Sequence, residues 1–293
     1  MLWILLTAAA APLQVARNAL QRGLIGDAGP WGATLVRFLF GLPFSLALFL
    51  VVAVMTPHAA PDPNLRFLVA VAAGAVAQVC ATAALLMAMR SSGFAVATFM
   101  QQSSLPLGAL LGYFAFGDRM SAMQWLGLAA TTVALLSLSW PSRTQETGKL
   151  AGSLYGLASG AAFAVALNGY RQAGLALEPS HPIYSATAAL CLAQALQSLV
   201  MILILGTIRP GALRAVGASW KASLAAGFFG TAASACWFSA LALAPAGQVR
   251  AVGVLEGPIA AAAGRRLFRE RLDIRQWAGG LLAAIGVVTT ALG

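Results

Sequence analysis

Long apolar runs follow one another along almost the whole sequence, and only short polar or proline-containing segments separate them. The chain of 293 residues is 60% hydrophobic and 9% charged, whereas about a quarter of the residues of an ordinary soluble domain are charged. A helix that crosses a bilayer needs about 20 mostly apolar residues. The runs are continuously apolar rather than alternating, so they favour helices over the strands of a membrane barrel. We therefore expect an all-α membrane protein with about ten transmembrane helices.

Short polar or proline-containing segments separate the apolar runs, which form two groups of five. The expected helices cover residues 2–22, 31–55, 65–89, 93–116 and 121–140, and then 150–171, 183–206, 219–243, 246–267 and 274–292. The polar stretch 141–148 separates the groups, so we place a first five-helix repeat at 1–147 and a second at 148–293. The first run has no basic segment before it, and we interpret it as a retained helix rather than a signal peptide.

The two groups align with each other at an offset of about 152 residues. Residues 116–127 match 268–279 at five identical positions, and the same offset places Pro106 on Pro258. Each proline lies in the middle of an expected helix, which it should bend. Because each repeat has an odd number of crossings, the second must enter the membrane from the opposite side. Inverted repeats of this kind commonly hold a solute site at their interface and expose it alternately to the two sides.

The charge of +10 could indicate a nucleic-acid partner, but the basic residues cluster at helix ends rather than on one face, so we expect none. One side of the expected membrane collects Arg22, Arg90, Arg143, Lys149, Arg209, Arg214, Lys221, Arg265, Arg266, Arg269, Arg271 and Arg275. The other collects only Arg66, Arg119 and Arg171. The rich side should be cytoplasmic, which places both termini outside.

Few residues could support catalysis or hold a metal. Cys80, Cys191 and Cys236 lie inside apolar runs, so we expect neither a disulfide framework nor a metal site, and no cofactor. His58 and His181 lie beside prolines in loops, where they could hardly form an intramembrane catalytic site. An enzyme and a channel are therefore the weaker alternatives to a carrier.

Matching sequence motifs in the two halves resemble those of a known family. Residues 117–121 (Gly-Asp-Arg-Met-Ser) and 269–273 (Arg-Glu-Arg-Leu-Asp) are each followed by Gln-Trp and an apolar helix. Together with Pro106, Pro258 and the Arg37-Phe38 pair, they resemble the signature of the EamA-type drug/metabolite transporters. The sequence departs from that pattern at Asp118, where the family usually has Glu, and at Arg269, where it usually has Gly.

The resemblance implies a ten-helix exporter of the inner (plasma) membrane. Its central cavity would be lined mainly by helices one, three, four, six, eight and nine, and it would export amino acids or other small solutes. A multidrug or other metabolite exporter of the same fold is the alternative. The expected partners are a small solute and the lipid bilayer, and the chain is expected to be monomeric. The family arrangement would place the termini inside, against the charge distribution.

Glu256 is the strongest candidate for a functional residue. It lies near the centre of the ninth expected helix, two residues before Pro258, where a charged side chain is costly. It could take up a proton or receive the amino group of a substrate. The alternative is a buried ion pair with Arg250 or Arg37.

Further polar residues inside the expected helices are candidates for substrate contacts. Helix one contributes Gln14, Arg17 and Asn18, and helix nine contributes Gln248 and Arg250. Either arginine could bind a carboxylate, although Arg17 could instead extend to the lipid headgroups. The other candidates are Gln78, Gln101, Gln102, Ser103, Ser104, Asn168, Tyr170, Thr231, Ser234 and Trp237. Hydrogen bonding between helices is the alternative role for each of them.

Overall fold

The computed structural model describes residues 2–116, 121–139, 147–244, 249–250, 252–269 and 274–292, and these residues form helices and connecting turns without any strand. The helices are α1 (Leu2–Leu39), α2 (Leu42–Met55), α3 (Leu65–Ser92), α4 (Phe94–Gln101), α5 (Ser104–Phe116), α6 (Ala122–Ser139), α7 (Thr147–Leu177), α8 (Pro182–Ile208), α9 (Pro210–Ala218), α10 (Trp220–Leu243), α11 (Glu256–Phe268) and α12 (Ile274–Leu292). A short 3₁₀ turn, Gly253–Leu255, precedes α11.

The outer surface of the helices suits a bilayer. By length and composition, five described segments are long and apolar enough to cross a membrane: Leu2–Met55, Leu65–Ser92, Leu150–Leu177, Pro182–Ile208 and Trp220–Leu243. Large apolar side chains point outward, with Val54 81% and Phe114 77% exposed. Such exposure would be unfavourable in water, but it is expected where lipid chains surround the protein.

The first two crossings are divided differently from the expected ranges 2–22 and 31–55. Helix α1 runs from Leu2 to Leu39 and is interrupted only at Gly29, whose φ of 69° and ψ of 173° are not helical. A positive φ is readily adopted by glycine alone among the common residues, so Gly29 lets the chain reverse without a long loop. A second interruption at Phe40 and Gly41 separates α1 from α2. The expected break between the first two crossings thus lies at Gly29 alone rather than over the whole of 23–30, and the expectation of one continuous helix over 31–55 was wrong.

The two crossings that contain Pro106 and Pro258 are broken at equivalent places. The expected helix 93–116 is divided into α4 and α5 by a turn at Gln102 and Ser103, and the expected helix 246–267 contains the 3₁₀ turn Gly253–Leu255. Pro106 and Pro258 are the third residues of α5 and α11. A proline cannot donate to the carbonyl four residues earlier and its ring crowds that carbonyl, which places the disruption near residues 102 and 254. At the offset of 152, the two interruptions coincide.

The packing of the helices follows the internal duplication. Helix α3 packs along α7, and α1 packs along α10. Exchanging the two repeats converts the first pair into the second, since the third and sixth crossings become the eighth and the first. Helices α6 and α12, the last crossing of each repeat, also pack against each other. The chain is thus an all-α membrane protein with ten transmembrane helices in two inverted five-helix repeats.

Helix α9 was not expected, because residues 207–218 were interpreted as a loop. It begins with Pro210, whose fixed φ suits the first helical turn. Val216 is its buried residue, and an added Cβ at Gly32 of α1 would lie 3.5 Å from the Val216 side chain. This short helix therefore covers one end of the bundle where α1 reverses direction.

Candidate functional site

Four charged side chains are buried in the centre of the bundle. The exposed fractions are 0% for Arg17, 3% for Arg37, 4% for Arg250 and 0% for Glu256. Arg17 and Arg37 belong to the first repeat, and Arg250 and Glu256 belong to the second. A charge inside a membrane protein is costly unless it faces a partner or a polar cavity, so this group marks the candidate site.

Arg37 connects the two repeats through its guanidinium group. It donates to the hydroxyl of Thr82 on α3 at 3.0 Å and to the hydroxyl of Ser234 on α10 at 3.1 Å. Gly230, one turn before Ser234, leaves room for this side chain, because an added Cβ there would lie 3.1 Å from Cγ of Arg37 and 3.3 Å from Cδ of Arg17. The absence of a side chain at position 230 therefore allows two arginines to enter the core together.

Arg250 makes the reciprocal connection at the broken helix of the first repeat. It donates to Oε1 of Gln102 at 3.0 Å and to the hydroxyl of Ser104 at 2.8 Å. Its guanidinium carbon lies 5.1 Å from the ring centroid of Trp237, within the range of a cation–π interaction. The same indole ring lies against Gly253. The interruption between α4 and α5 is therefore held by a charged residue of the other repeat.

Arg17 does not extend to the lipid headgroups, contrary to one interpretation of the sequence. Its guanidinium donates to Oδ1 of Asn18 through Nε and Nη2, and its Nη1 has no hydrogen-bond partner among the described residues. The reason is the length of α1, which continues to Gly29 and leaves Arg17 deep in the bundle rather than near a helix end. Gln21, one turn later, donates to the carbonyl of Ala33 at 2.7 Å across the reversal.

The Glu256 carboxylate is buried at the start of α11. Neither of its oxygens accepts a hydrogen bond from the described part of the chain, and no arginine of that part lies within ion-pair distance. It does interact electrostatically with Arg17 and Arg250. The expected direct pair with Arg250 or Arg37 is thus absent among the described residues, and Glu256 acts on Arg17 and Arg250 only at longer range.

A neutral hydrogen-bond network forms another wall of the site. The Tyr170 hydroxyl donates to Oε1 of Gln78 at 2.8 Å, and Nε2 of Gln197 donates to the same oxygen at 2.9 Å. Asn168 instead donates to the carbonyls of Ala164 and Gly108, so it fastens α7 to α5.

Sequence reasoning missed Gln197 and the neighbouring Gln194, which donates to Thr231 at 3.1 Å. The two glutamines lie nearly one turn apart in the middle of an apolar helix, and this spacing is a signal that could have identified them.

A cavity of about 30 Å³ lies between these walls. It is lined by Gln14, Arg37, Gln78, Gln101, Phe163, Ala166, Leu167, Tyr170, Ser234, Trp237, Phe238 and Arg250. The described sequence candidates that do not line it are Arg17, Asn18, Gln102, Ser103, Ser104, Asn168, Thr231 and Glu256. A cavity of this size has room for only a few water molecules, so it is too small for a metabolite in this conformation.

Two larger hollows lie outside this polar centre. One of about 510 Å³ is bordered by Phe99, Pro258 and Trp277, and one of about 600 Å³ by Val76, Met201 and Arg209, with almost entirely apolar walls. Their chemistry suits lipid chains better than a polar solute. The small polar cavity is the better candidate site because the buried Arg37 and Arg250 both line it.

One end of the bundle is fastened by contacts between the α2–α3 connection and the end of α7. The carboxylate of Glu178 accepts hydrogen bonds from the amides of Ala60 at 2.9 Å and Ser180 at 3.1 Å, and these bonds lower its pKa. Arg66 donates to Gln172 at 2.6 Å beside them. These contacts join the first repeat to the second on the side poor in basic residues.

Some sequence-based expectations cannot be placed. Gln248 and most of the paired signature, residues 117–120 and 270–273, lie outside the described residues. Cys80, Cys191 and Cys236 are free thiols.

Both repeats of the chain are similar to known proteins. The model of the EamA-like transporter family matches residues 1–140 and again residues 150–292. A solved structure described as "Crystal structure of protein" has a TM-score of 0.63 and 17% sequence identity, over 98% of this chain and 96% of that chain. At this identity the likeness shows the fold alone. No curated protein matches the chain. Because the family match covers both repeats, the chain belongs to the EamA-like transporter family and is a membrane transporter of small solutes rather than an enzyme.

Proposed function

We propose that this chain is a secondary carrier that exports a small carboxylate-bearing metabolite, with amino acids as the first candidates, across the inner membrane by alternating access. The observation that carries the proposal is the buried arginine cluster, which joins the two repeats at their interface. Arg37 of the first repeat bonds to Ser234 of the second, and Arg250 of the second bonds to Gln102 of the first. A solute bound by both arginines would contact both halves at once.

The chemistry of the cavity supports a substrate with a carboxylate. Guanidinium groups bind carboxylates through two parallel charge-assisted hydrogen bonds. Oε1 of Gln101 also lines the cavity and has no donor among the described residues, so it is available to an ammonium or hydroxyl group of the solute. An amino acid offers a partner to each of these groups.

The small cavity and the broken helices support alternating access. A space of about 30 Å³ cannot hold a metabolite, so the helices must move apart for the solute to bind. The turn between α4 and α5 and the turn before α11 provide equivalent points where the helices can bend. Opening at one end and then the other would expose the arginines to each side in succession.

Glu256 is the proposed site of proton coupling. Its carboxylate lies near Arg17 and Arg250 but makes no hydrogen bond within the described part of the chain. Protonation would alter the charge balance around both arginines and thereby their attraction for an anionic solute. A membrane potential adds about 2.3 kcal/mol per charge for each 100 mV, so the coupling would influence the direction of flux.

Counterflow in proteoliposomes tests this proposal. Vesicles containing the purified protein are loaded with an unlabelled solute and diluted into the same solute carrying a radiolabel, with a panel of amino acids, sugars and cationic drugs. A carrier accumulates label transiently, whereas a channel only equilibrates it. Accumulation should be lost in Arg37→Gln and retained in Arg214→Gln, which removes an exposed arginine of α9. Equilibration without transient accumulation would contradict alternating access, and accumulation of cationic drugs alone would favour the multidrug alternative.

A further inference from the structure

The charges around the cavity do not balance. Within the part of the chain that the structure describes, Arg17, Arg37 and Arg250 supply three positive charges to the buried centre, and Glu256 supplies one negative charge. Buried charges are normally paired, because an uncompensated ion far from water is strongly unfavourable. The described site therefore carries an excess of two positive charges, which a ligand can neutralise.

The cavity also presents hydrogen-bond donors that have no acceptor. Nε of Arg37, Nε of Arg250 and Nε1 of Trp237 each lack a partner among the described residues, and all three side chains line the cavity and are at least nine-tenths buried. Glu256 does not line the cavity, so its carboxylate does not meet these donors. Orphaned donors of this kind are expected to bind acceptor oxygens of a ligand.

The two cavity arginines are held at separate positions along α10. Arg37 bonds to Ser234, and Arg250 stacks on Trp237, three residues further along the helix. Three helical residues correspond to a rise of about 4.5 Å. The cavity therefore has two positive groups, one from each repeat, which contact different residues of α10.

From this arrangement we infer that the transported solute is a short organic dianion whose two negative groups bind Arg37 and Arg250 at the same time. The inference rests on the carrier function proposed above and narrows its substrate class. A neutral amino acid has no net charge and would leave both excess positive charges in place. A dicarboxylate supplies two anionic groups and two negative charges, and its carboxylates suit the planar, bidentate geometry of the arginine fork. An acidic amino acid supplies the same two carboxylates together with one ammonium group, whereas a small phosphate monoester carries both charges on a single group.

A series of ligands of equal size separates charge from shape. Binding of succinate, succinamate and succinamide to the purified full-length protein in lipid nanodiscs is measured by calorimetry, with glycerol 3-phosphate as the phosphate probe. Each replacement of a carboxylate by an amide removes a charge-assisted contact, and we expect affinity to fall at least about tenfold at each step. Tighter binding of succinate than of glycerol 3-phosphate would assign the dicarboxylate class, and the reverse order would overturn the two-group arrangement, because a phosphate monoester carries both charges on one group.

Substitution of Arg250 tests whether this residue binds the second negative group of the solute. In Arg250→Gln the ratio of succinate to succinamate affinity should collapse from at least about tenfold towards one, because the glutamine amide does not favour a carboxylate over an amide. Loss of structural support alone would weaken both ligands equally and leave the ratio unchanged. Arg250→Lys keeps the charge and should keep most of the preference, and Arg214→Gln on the surface of α9 should keep all of it.

Counterflow of the same compounds separates this inference from the proposed carrier function. Preferential exchange of succinate supports both the dianion inference and the carrier function. The dianion inference would be overturned if glutamine or asparagine exchanged at least as fast as glutamate or aspartate and succinate bound no more tightly than succinamide. The carrier function would then remain intact. Preferential dianion binding without counterflow would overturn the carrier function instead. A preference ratio unaffected by Arg250→Gln would overturn the assignment of the second negative group to Arg250.

Discussion

Replacing Arg37 by glutamine should remove solute binding while leaving the bundle folded. Arg37 is 3% exposed and donates to Thr82 and Ser234 from two different helices. Its guanidinium links the first repeat directly to α10. A glutamine at this position can still hydrogen-bond to a hydroxyl, but it carries no positive charge for an anionic solute.

The two effects of this substitution differ in size. Two hydrogen bonds from a charged donor are worth about 1.5–3 kcal/mol each, while the substitution also removes a charge whose burial in a membrane costs about 2.5–3.5 kcal/mol. The net loss of stability should therefore be about 0–3 kcal/mol. Truncating one partner of a buried charge pair costs binding about 2–5 kcal/mol, which corresponds to an affinity at least about 30-fold weaker.

Calorimetric binding and thermal unfolding of the same nanodisc samples check these values. Arg37→Lys is the matched control, since it keeps the charge but loses the planar fork, and it should bind with intermediate affinity. A solute affinity in Arg37→Gln within about threefold of the unmodified protein would refute the role of Arg37 in the site. Unfolding of the Arg37→Gln variant would instead show that the two lost hydrogen bonds stabilise the bundle by more than the burial of the charge costs.

Three further substitutions test separate parts of the structure. Glu256→Gln should lower transport or abolish its dependence on pH, measured as counterflow between pH 5 and 8 (about the range in which proteins are generally most stable); undiminished, equally pH-sensitive flux excludes the proposed coupling. Gly230→Val should displace Arg37, whose Cγ lies 3.1 Å from the added Cβ, at a cost of about 1–3 kcal/mol for overpacking; unfolding and solute affinity both report it, and unchanged affinity contradicts the proposed fit. The pKa of Glu178 is lowered mainly by the amide of Ala60, so its stabilisation is present above the ordinary carboxyl pKa and is lost as the pH falls through the lowered value. The melting temperature should show an acid-dependent loss that Glu178→Gln lacks, and identical acid profiles would exclude this contribution.

The general architecture follows from the sequence, but the interruptions in the helices do not. Apolar length and the offset of 152 residues predict two groups of five crossings. They place a break between the first two crossings within residues 23–30, but they do not predict that the helix continues to Ala28 and that the chain reverses at the single residue Gly29, whose φ is positive. The proline positions predict bending, but the turns lie near residues 102 and 254 because a proline disturbs the carbonyl four residues before it.

The candidate site, like the fold, can be predicted from the sequence only in part. Glu256 and Arg250 can be selected from the sequence because charges in apolar helices are costly, whereas the depth of Arg17 depends on how far α1 continues. With a helix expected to end at residue 22, Arg17 seemed close to the headgroups, and the continuation to Gly29 moves it to the centre. The pairing of Arg37 with Ser234 joins residues 197 positions apart, and no local pattern reveals that contact.

Thiol accessibility at the cavity wall tests the central claim most directly. A cysteine is introduced at Ala166, an apolar residue lining the cavity, after Cys80, Cys191 and Cys236 have been replaced. A membrane-impermeant thiol reagent is then applied to right-side-out and inside-out vesicles, with and without succinate. If both repeats enclose one solute site that opens alternately, the cysteine of A166C reacts from each side and succinate slows both reactions. Reaction from one side only, in a variant that still transports, would contradict the account.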